Sequence, residues 1–414
     1  MKRALLKQMR NEWKGNLWII AGLTIVSIAI WILCAQLYGI LHPTLLPMGF
    51  DDENLYVITI HDVKADADSE PVAVENAQAD RNRDIRVLLE EYRSNPNVEV
   101  AGLSWNGTPY QRSWNTTLWP TDGTDSVGYN GFTKMITPEM VRVLGLKSAT
   151  GKSADELEAI LRRGEVLITT RPGMDEEVIE SGGRHPLDLI GKKVKDAPDG
   201  EAKYMVGDVV DVLRESMFNR SYGNLIVPLS EEQPFLVSEI AVRVKAGHGD
   251  DFMEDFENRP EMQGIRSIYV SAPEKVSYKR MAAEQADIVS ARLYGALICF
   301  VFVIIFLGLL GTFWFRVQQR VQEIAIRKVC GASRSAIFRR IIGEGLILLL
   351  SATVLSAAIA WTVMLKTDPG SDNMEMLGME ATAFCIVAVS VIVSLWWPAH
   401  RAMNTEPAIA IKEE

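Results

Sequence analysis

The sequence predicts an α-helical membrane domain with four spans and an α/β domain outside the membrane. The chain of 414 residues is 48% hydrophobic yet carries a net charge of −10, so its apolar and polar parts are separated along the sequence. A helix needs roughly 20 apolar residues to cross a bilayer core. Four uncharged stretches approach this length, at 17–41, 293–315, 345–365 and 381–399. Between the first two, strand-like and helix-like segments alternate, which indicates an α/β domain.

The charges between these stretches predict the orientation. Residues 1–16 hold five Lys or Arg against one Glu, and 316–344 hold seven against two, whereas 366–378 hold one Lys against three acidic residues. Basic residues favour the cytosolic side of a membrane. We therefore expect the N-terminus and the tail, 400–414, to be cytosolic and residues 42–280 to lie outside. The acidic balance of the outer part argues against binding to nucleic acid.

The first span, 17–41, is expected to remain as an uncleaved anchor. Its apolar run is far longer than the roughly 7–15 residues of a signal peptide, and no small-x-small cleavage site follows it. Residues 281–315 are expected to form a helical stalk that continues into the second span. The third and fourth spans are assigned to 345–365 and 379–399, with 366–378 as a short external loop.

Neither a disulfide framework nor a metal site is expected. The four cysteines, Cys34, Cys299, Cys330 and Cys385, lie in the spans or between them on the cytosolic side. No pair of His or Cys residues has metal-ligand spacing. Residues 145–153 (GLKSATGKS) look like a phosphate-binding loop, but five residues rather than four separate the glycines. We predict no catalytic, cofactor-binding or metal-binding residues.

The outer domain is predicted to contain two β-α-β units around an insertion. The first unit, 54–104, has strand candidates on both sides of a helix at 84–92, and the same order recurs in the second unit, 236–272. Residues 65–83 are polar and acidic and are expected to be a loop. The insertion, 105–235, is expected to be a mixed subdomain.

Four aromatic residues cluster at the start of the insertion: Trp105, Tyr110, Trp114 and Trp119. Aromatic side chains of this kind combine a large apolar area with a polar tip, which suits a ligand or partner surface. Ordinary packing of an irregular loop explains the same pattern. Both interpretations stay open at the level of the sequence.

The segment 316–344, which we call the elbow, carries the strongest local pattern. Apolar residues such as Val317 and Ile324 fall on one helical face, and cations occupy the other. Gly331 can end this helix, and Ser333 can cap a second one by accepting a hydrogen bond from its first free amides. Two helices that meet at a turn on the membrane surface are therefore predicted. A basic loop that only follows the positive-inside rule is the simpler alternative.

The order of residues in the elbow resembles the signature of the permease family typified by MacB and FtsX, which are membrane subunits of ABC systems. The matching positions are Glu323, Arg327, Lys328, Gly331, Ala332, Ser333, Arg334 and Ile337. The resemblance implies that the elbow docks into a separate ATPase. Arginine and lysine would pair with acidic groups of that ATPase, and Ile337 would fill an apolar groove on it.

Weaker matches follow in the family's order along the chain. Residues 136–146 are similar to a family segment with Thr-Pro and Leu-Gly, and 398–412 resemble its closing pattern P-A-x-x-A then P-x-x-A-I/L-R/K. The resemblance implies a MacB-like outer domain, in which the two β-α-β units form one subdomain and the insertion another. It also implies a bacterial inner-membrane protein with both termini in the cytosol.

The function implied by this resemblance is that of a non-catalytic permease subunit of an ABC transporter. The chain would couple ATP hydrolysis by a separate ATPase to motion of the outer domain, with efflux by mechanotransmission as the first expectation. Its partners would be the ATPase, which binds the ATP, and a second permease copy, identical or related; a periplasmic or outer-membrane protein is a further option. The alternatives are an FtsX-like regulator of a cell-wall hydrolase, a lipoprotein-release permease and a membrane receptor that works without an ATPase.

Overall fold

The computed structural model describes residues 13–63, 71–111, 113–123, 127–171, 175–198, 200–218, 223–231, 236–367 and 373–404. The chain divides into two compact units, an outer unit of His42–Asp287 and a membrane unit of Met1–Leu41 with Ile288–Glu414. Most of the predicted N-terminal segment, the end of the tail and part of the 366–378 loop lie outside the described residues.

The described residues form ten α-helices and twelve strands. The helices are α1 (Trp13–Leu41), α2 (Pro71–Ser94), α3 (Met140–Leu144), α4 (Ala154–Arg162), α5 (Asp175–Glu180), α6 (Gly249–Asn258), α7 (Val276–Gln319), α8 (Val321–Val329), α9 (Arg334–Thr367) and α10 (Asn373–Asn404). The strands are β1 (Leu55–Asp62), β2 (Val98–Trp105), β3 (Asn115–Pro120), β4 (Tyr129–Ile136), β5 (Val166–Thr169), β6 (Lys193–Lys195), β7 (Tyr204–Val210), β8 (Asn224–Pro228), β9 (Glu239–Val244), β10 (Gly264–Ile265), β11 (Ile268–Val270) and β12 (Glu274–Lys275).

Two strand–helix–strand units interlock in one half of the outer unit. The orders β1-α2-β2 and β9-α6-β11 are present, but the two strands of each unit are not neighbours. β9 lies between β1 and β2 and is antiparallel to both, and β1 lies in the same way between β9 and β11. Each unit is therefore completed by a strand of the other, so segments far apart in the sequence form one sheet.

The alternation of side chains along β1 explains why helices cover both faces of this sheet. Tyr56 and Ile58 point into a core shared with α2 and α6, where Leu88 and Phe252 are fully buried. Val57 faces the other way and packs into a second core with α3 and α4. Burying a large apolar side chain stabilises the fold by about 1.5–3 kcal/mol, so both layers hold the sheet in place.

The insertion forms a closed ring of six strands. In the order β4-β3-β6-β7-β5-β8 each strand pairs with the next, and β8 pairs back to β4. Its interior is filled by apolar side chains such as Leu118, Val166 and Leu225, as expected for a small barrel. β4 also pairs with β2 through Ser104 and Trp105, which joins the ring to the interlocked units.

The prediction of a loop at 65–83 is wrong over most of its length, because α2 begins at Pro71 and runs to Ser94. The fixed φ of proline suits the first helical position. The sequence concealed the start of this helix because the apolar residues that pack into the core begin at Ile85.

Among the described residues, four helices are long and apolar enough to cross a membrane, and they contain all four predicted spans. The candidate segments are Asn16–Leu45, Val276–Gln319, Arg334–Met364 and Met376–Asn404. All four are longer than the predicted spans, because helical structure continues into polar residues. α7 is the longest, with 44 residues, and the boundary between the two units falls inside it.

The membrane unit has its own apolar core. Ile30 of α1, Leu348 of α9 and Val391 of α10 are fully buried in it. α9 approaches α10 closely at Gly345, where an added Cβ would lie 2.3 Å from Leu395 Cδ1. Small residues at such positions allow membrane helices to pack by van der Waals contact.

Candidate functional site

The elbow turns at Gly331, as predicted. Gly331 has a φ of +91°, and the Ala332 amide donates to the Arg327 carbonyl at 3.0 Å, which closes the end of α8. Ser333 then caps α9, since its Oγ accepts a hydrogen bond from the Ala336 amide at 3.2 Å. The elbow is thus a helix, a tight turn and a capped second helix.

The structure also has a second break, at Arg320, which the sequence does not predict. α7 ends at Gln319 and α8 begins at Val321, and Arg320 between them has φ −110° and ψ 13°. One guanidinium nitrogen of Arg320 donates to both carboxylate oxygens of Glu344, at 2.9 and 2.8 Å. Arg316 lies 3.5 Å from the same carboxylate. Glu344 of α9 therefore ties the break to the end of α7.

The apolar side chains of the elbow are not arranged as expected. Ile337 is only 4% exposed and packs inside the elbow, so its docking into a groove of a partner stays a prediction. The exposed apolar residues are Ile326 (56%) and Val329 (68%). They are three residues apart and share one face of α8. Their spacing of three residues is visible in the sequence and could have identified them as one apolar helix face.

The tip of the elbow, residues 326–334, combines one ion pair at its edge with repulsion between two cations. Glu323 and Arg327 form an ion pair one turn apart on α8. Burial lowers the pKa of Lys328, and the nearby charge of Arg334 lowers that pKa further. Arg334 is exposed at the start of α9. A carboxylate supplied by a partner would offset the repulsion between Lys328 and Arg334.

In the outer unit, the structure brings together two of the four predicted aromatic residues. The rings of Trp105 and Trp114 have centroids 4.2 Å apart, and Trp114 is exposed. Tyr110 instead meets the edge of Phe50, at 5.9 Å. Trp119 lies on β3 and pairs with β6. The predicted aromatic surface is therefore reduced to the Trp105–Trp114 pair.

Glu239, at the start of β9, holds the loop that carries this pair. The buried Glu239 carboxylate accepts hydrogen bonds from Ser104 at 3.0 Å, from Thr108 at 2.7 Å and from Gln111. The Lys134 ammonium donates to the Gln111 carbonyl at 3.2 Å. Burial lowers the pKa of Lys134. Two buried charged groups thus hold one short loop.

We expect Glu239→Gln to destabilise this region by about 2 kcal/mol, because an amide N–H would face donors that need an acceptor. Thermal unfolding of the full-length protein in detergent should shift down by roughly 4–8 °C. Glu254→Gln, an exposed position on α6, is the matched control and should leave the melting temperature unchanged. Equal shifts for the two variants would contradict the role given to Glu239.

A second cluster of hydrogen bonds connects the segment where the chain enters the outer unit with the segment where it leaves. The buried Arg214 side chain donates to the carbonyls of Leu46 at 2.9 Å and Met217 at 2.8 Å. The Met217 amide in turn donates to Glu284 of α7 at 2.8 Å. The segment after α1 and the first turns of α7 are thereby joined through one loop of the outer unit.

The segment resembling a phosphate-binding loop is a structural loop. The fully buried Asp208 accepts hydrogen bonds from Ser148 at 2.6 Å and Thr150 at 2.9 Å, and Lys152 lies 3.1 Å from it. Ser153 caps α4. The donors that a phosphate would need therefore already contact a carboxylate. No group of three or more His, Cys, Asp or Glu that could hold a metal occurs among the described residues.

Residues 295–407 match the family described as FtsX-like permease C-terminal. The match includes the end of α7, the whole elbow and both following membrane helices. It covers the part of the chain in which the elbow signature was found in the sequence. No curated protein matches this chain.

Two solved structures resemble part of the chain. One is a domain assigned to a permease protein from Porphyromonas gingivalis, with 15% identity and a TM-score of 0.30, which covers 55% of this chain and 94% of that one. The other is the extracellular domain of the noncanonical ABC-type transporter YknZ from Gram-positive bacteria, with 12% identity and a TM-score of 0.29, which covers 52% and 99%. These scores are too low to identify the fold.

Proposed function

We propose that this protein is the non-catalytic permease subunit of an ABC transporter, because residues 295–407 match the FtsX-like permease C-terminal family. ATP is bound and hydrolysed by a separate ATPase that docks on the elbow. The outer unit lies on the extracytoplasmic side of a bacterial inner membrane, and both termini lie in the cytosol.

The observation that supports this proposal most is the tip of the elbow. Ile326 and Val329 are exposed there, and Lys328 and Arg334 repel each other beside them. An apolar centre with charged neighbours is typical of a specific docking surface. The expected counterpart on the ATPase is a small apolar groove with acidic side chains at its edge.

Helix α7 provides the route by which motion of the elbow would reach the outer unit. It is one continuous helix from Val276 to Gln319. Near its start, Glu284 binds the Met217 amide and Arg280 pairs with Asp52 at 3.0 Å. We therefore propose mechanotransmission: closure of the ATPase displaces the elbow, and α7 transmits the displacement to loops of the outer unit.

We propose that a second permease copy packs on the exposed face of α7. Phe300, Ile304 and Leu307 are all more than half exposed in the middle of the candidate span. The bilayer can cover such a face, and a second copy that packs there would form a dimer with two elbows. Efflux is the proposed outcome of their joint motion.

Cys330 allows the docking to be tested in native membranes, because it is exposed at the turn of the elbow. We expect a benzophenone maleimide on Cys330 to give a light-dependent adduct with an ABC-type ATPase, identified by mass spectrometry. A membrane-impermeant maleimide should label Cys330 in inverted vesicles and not in intact cells.

Cys330→Ser is the control, since it leaves Cys34, Cys299 and Cys385 in place. The adduct should disappear in this variant. An adduct that survives, or labelling of Cys330 from outside the cell, would contradict the proposed docking and orientation.

A further inference from the structure

One carboxyl group lies inside the membrane unit, away from the elbow. Glu380 belongs to the candidate span Met376–Asn404 of α10, and its carboxyl oxygen Oε1 lies 3.4 Å from the Ser356 hydroxyl of α9. Ser356 is close to the middle of the uncharged stretch 345–365. A rise of about 1.5 Å per residue puts it about 15 Å from Lys366, near the end of α9. Because the apolar core of a bilayer is about 30 Å thick, the Glu380 carboxyl lies within that core.

The Glu380 carboxyl has no positively charged partner among the described residues. The stretches 17–41 of α1, 293–315 of α7 and 345–365 of α9 contain no charged residue. Glu380 as a whole is partly exposed, but its oxygen Oε2 is buried and forms no hydrogen bond within the described part of the chain. An ionised carboxylate without a cation or a full set of donors is strongly unfavourable in an apolar medium.

The hydrogen bonds of Ser356 indicate where a proton lies. A serine hydroxyl has one hydrogen to donate. Ser356 Oγ lies 3.0 Å from the Thr353 carbonyl, which can only accept, and 3.4 Å from Glu380 Oε1. The hydroxyl hydrogen therefore goes to Thr353, the closer acceptor. The contact between Ser356 and Glu380 is then a hydrogen bond only if the carboxyl supplies the hydrogen.

Other titratable groups on the neighbouring helices do not balance a charge on Glu380. In this half of the membrane unit, the ones whose side chains the structure describes are Cys34 and Tyr38 of α1, Arg292, Tyr294 and Cys299 of α7, Lys366 of α9 and Cys385 of α10. Within the described chain, the carboxyl is hydrogen-bonded to Ser356 alone. Metal cations such as Mg²⁺ or Ca²⁺ take about six or more oxygen ligands, so this pair of side chains suits a proton better.

We propose that Glu380 is a proton-binding site inside the membrane unit, with the proton on Oε1 and donated to Ser356. Release of this proton would leave a negative charge among apolar side chains, so it requires water to enter or α9 and α10 to separate. α9 is one continuous helix from Arg334, at the elbow, to Thr367. Protonation of Glu380 would therefore be coupled to the position of the second helix of the elbow. This inference goes beyond the proposed function and does not require an ATPase.

The lipophilic reagent dicyclohexylcarbodiimide tests for such a proton. The carboxylic acid adds across a C=N bond of the reagent: the proton goes to nitrogen, and the carboxyl oxygen bonds to the central carbon. No atom is lost, so the labelled residue gains the mass of one reagent molecule, and mass spectrometry of peptides locates it. The test uses the full-length protein in phosphatidylcholine vesicles at about pH 8, where an exposed glutamate is ionised and has no proton to give.

Glu344 is the matched control within the same molecule. It is also largely buried, but its carboxylate lies 2.8 Å from the Arg320 guanidinium, so a cation already balances its charge. We expect at least about tenfold more adduct on Glu380 than on Glu344, because only the unpaired carboxyl needs a proton to stay in an apolar site. Glu380→Gln should abolish this adduct and leave labelling elsewhere unchanged.

Equal labelling of Glu344 and Glu380, or no labelling of Glu380, would overturn the assignment. Replacing choline chloride by sodium chloride should leave the Glu380 adduct unchanged; suppression by sodium would mean that the carboxyl binds Na⁺ instead of a proton. A water-soluble carbodiimide should not label Glu380, and equal labelling by that reagent would place the carboxyl outside the apolar core. Because labelling is measured without ATPase, failure of the ATPase docking would not affect this result.

Discussion

Replacing both Ile326 and Val329 by aspartate is expected to weaken binding of the ATPase by about thirtyfold or more. A central interface residue contributes about 2 kcal/mol or more when it is truncated, and each aspartate also adds a charge to the apolar centre of the surface. Both positions are more than half exposed, so the protein should fold normally. Recovery of the ATPase after affinity purification, and its ATP hydrolysis rate, measure the effect.

The matched control is Val63→Asp with Val87→Asp. These valines are also more than half exposed, but they lie in the outer unit. This variant should retain the ATPase fully. Equal losses in the two double variants would show that added negative charge, rather than the tip of the elbow, is responsible.

Gly49→Ala is expected to have the largest effect on stability. Gly49 has a φ of +82°, and an added Cβ would lie 1.2 Å from the carbonyl oxygen of Val212. The clash involves backbone on both sides, so no side-chain rotation can relieve it. We expect a loss of about 4 kcal/mol or more, which corresponds to a melting temperature at least about 8 °C lower.

Gly151→Ala separates the strain of a left-handed backbone from the clash of the added Cβ with Val212. Gly151 has nearly the same φ, +83°, but nothing lies within 4 Å of its added Cβ. This variant should lose only the roughly 1–2 kcal/mol of a left-handed backbone. Hydrogen exchange should also increase at residues 46–52 and 212–217 in Gly49→Ala only. A similar shift for both variants would mean that the close contact with Val212 is unimportant.

The membrane helices and the turn of the elbow could be predicted because their signals are local. The long uncharged stretches of the sequence identify the spans. Gly331 places the turn, and Ser333 places the helix cap that follows it. The break at Arg320 could not be predicted in this way. It depends on Glu344, which is 24 residues further along the chain and reaches Arg320 only after α9 has folded back.

The burial of Ile337 was hidden for a similar reason. In the sequence, Ile337 and Ile326 are equally apolar members of helical faces, and tertiary packing alone decides which is exposed. Ile337 faces Phe313 and Val317 of α7 across a small pocket inside the elbow, a contact between helices that only the fold reveals.

In the outer unit, the order of strands and helices was visible but their pairing was not. The closed ring depends on parallel pairing of β4 with β8, where Phe132 is opposite Asn224, and no turn signal links such distant segments. The role of Glu239 was likewise invisible, since its partners Ser104 and Thr108 lie more than a hundred residues away.

Affinity purification of the full-length protein in mild detergent, followed by identification of bound proteins and an ATPase assay, tests the central claim most directly. The account predicts that an ABC-type ATPase is recovered, that it hydrolyses ATP in the complex, and that it is lost from the Ile326→Asp, Val329→Asp variant. Recovery of folded protein without any ATPase, or equal retention of the ATPase by that variant, would contradict it.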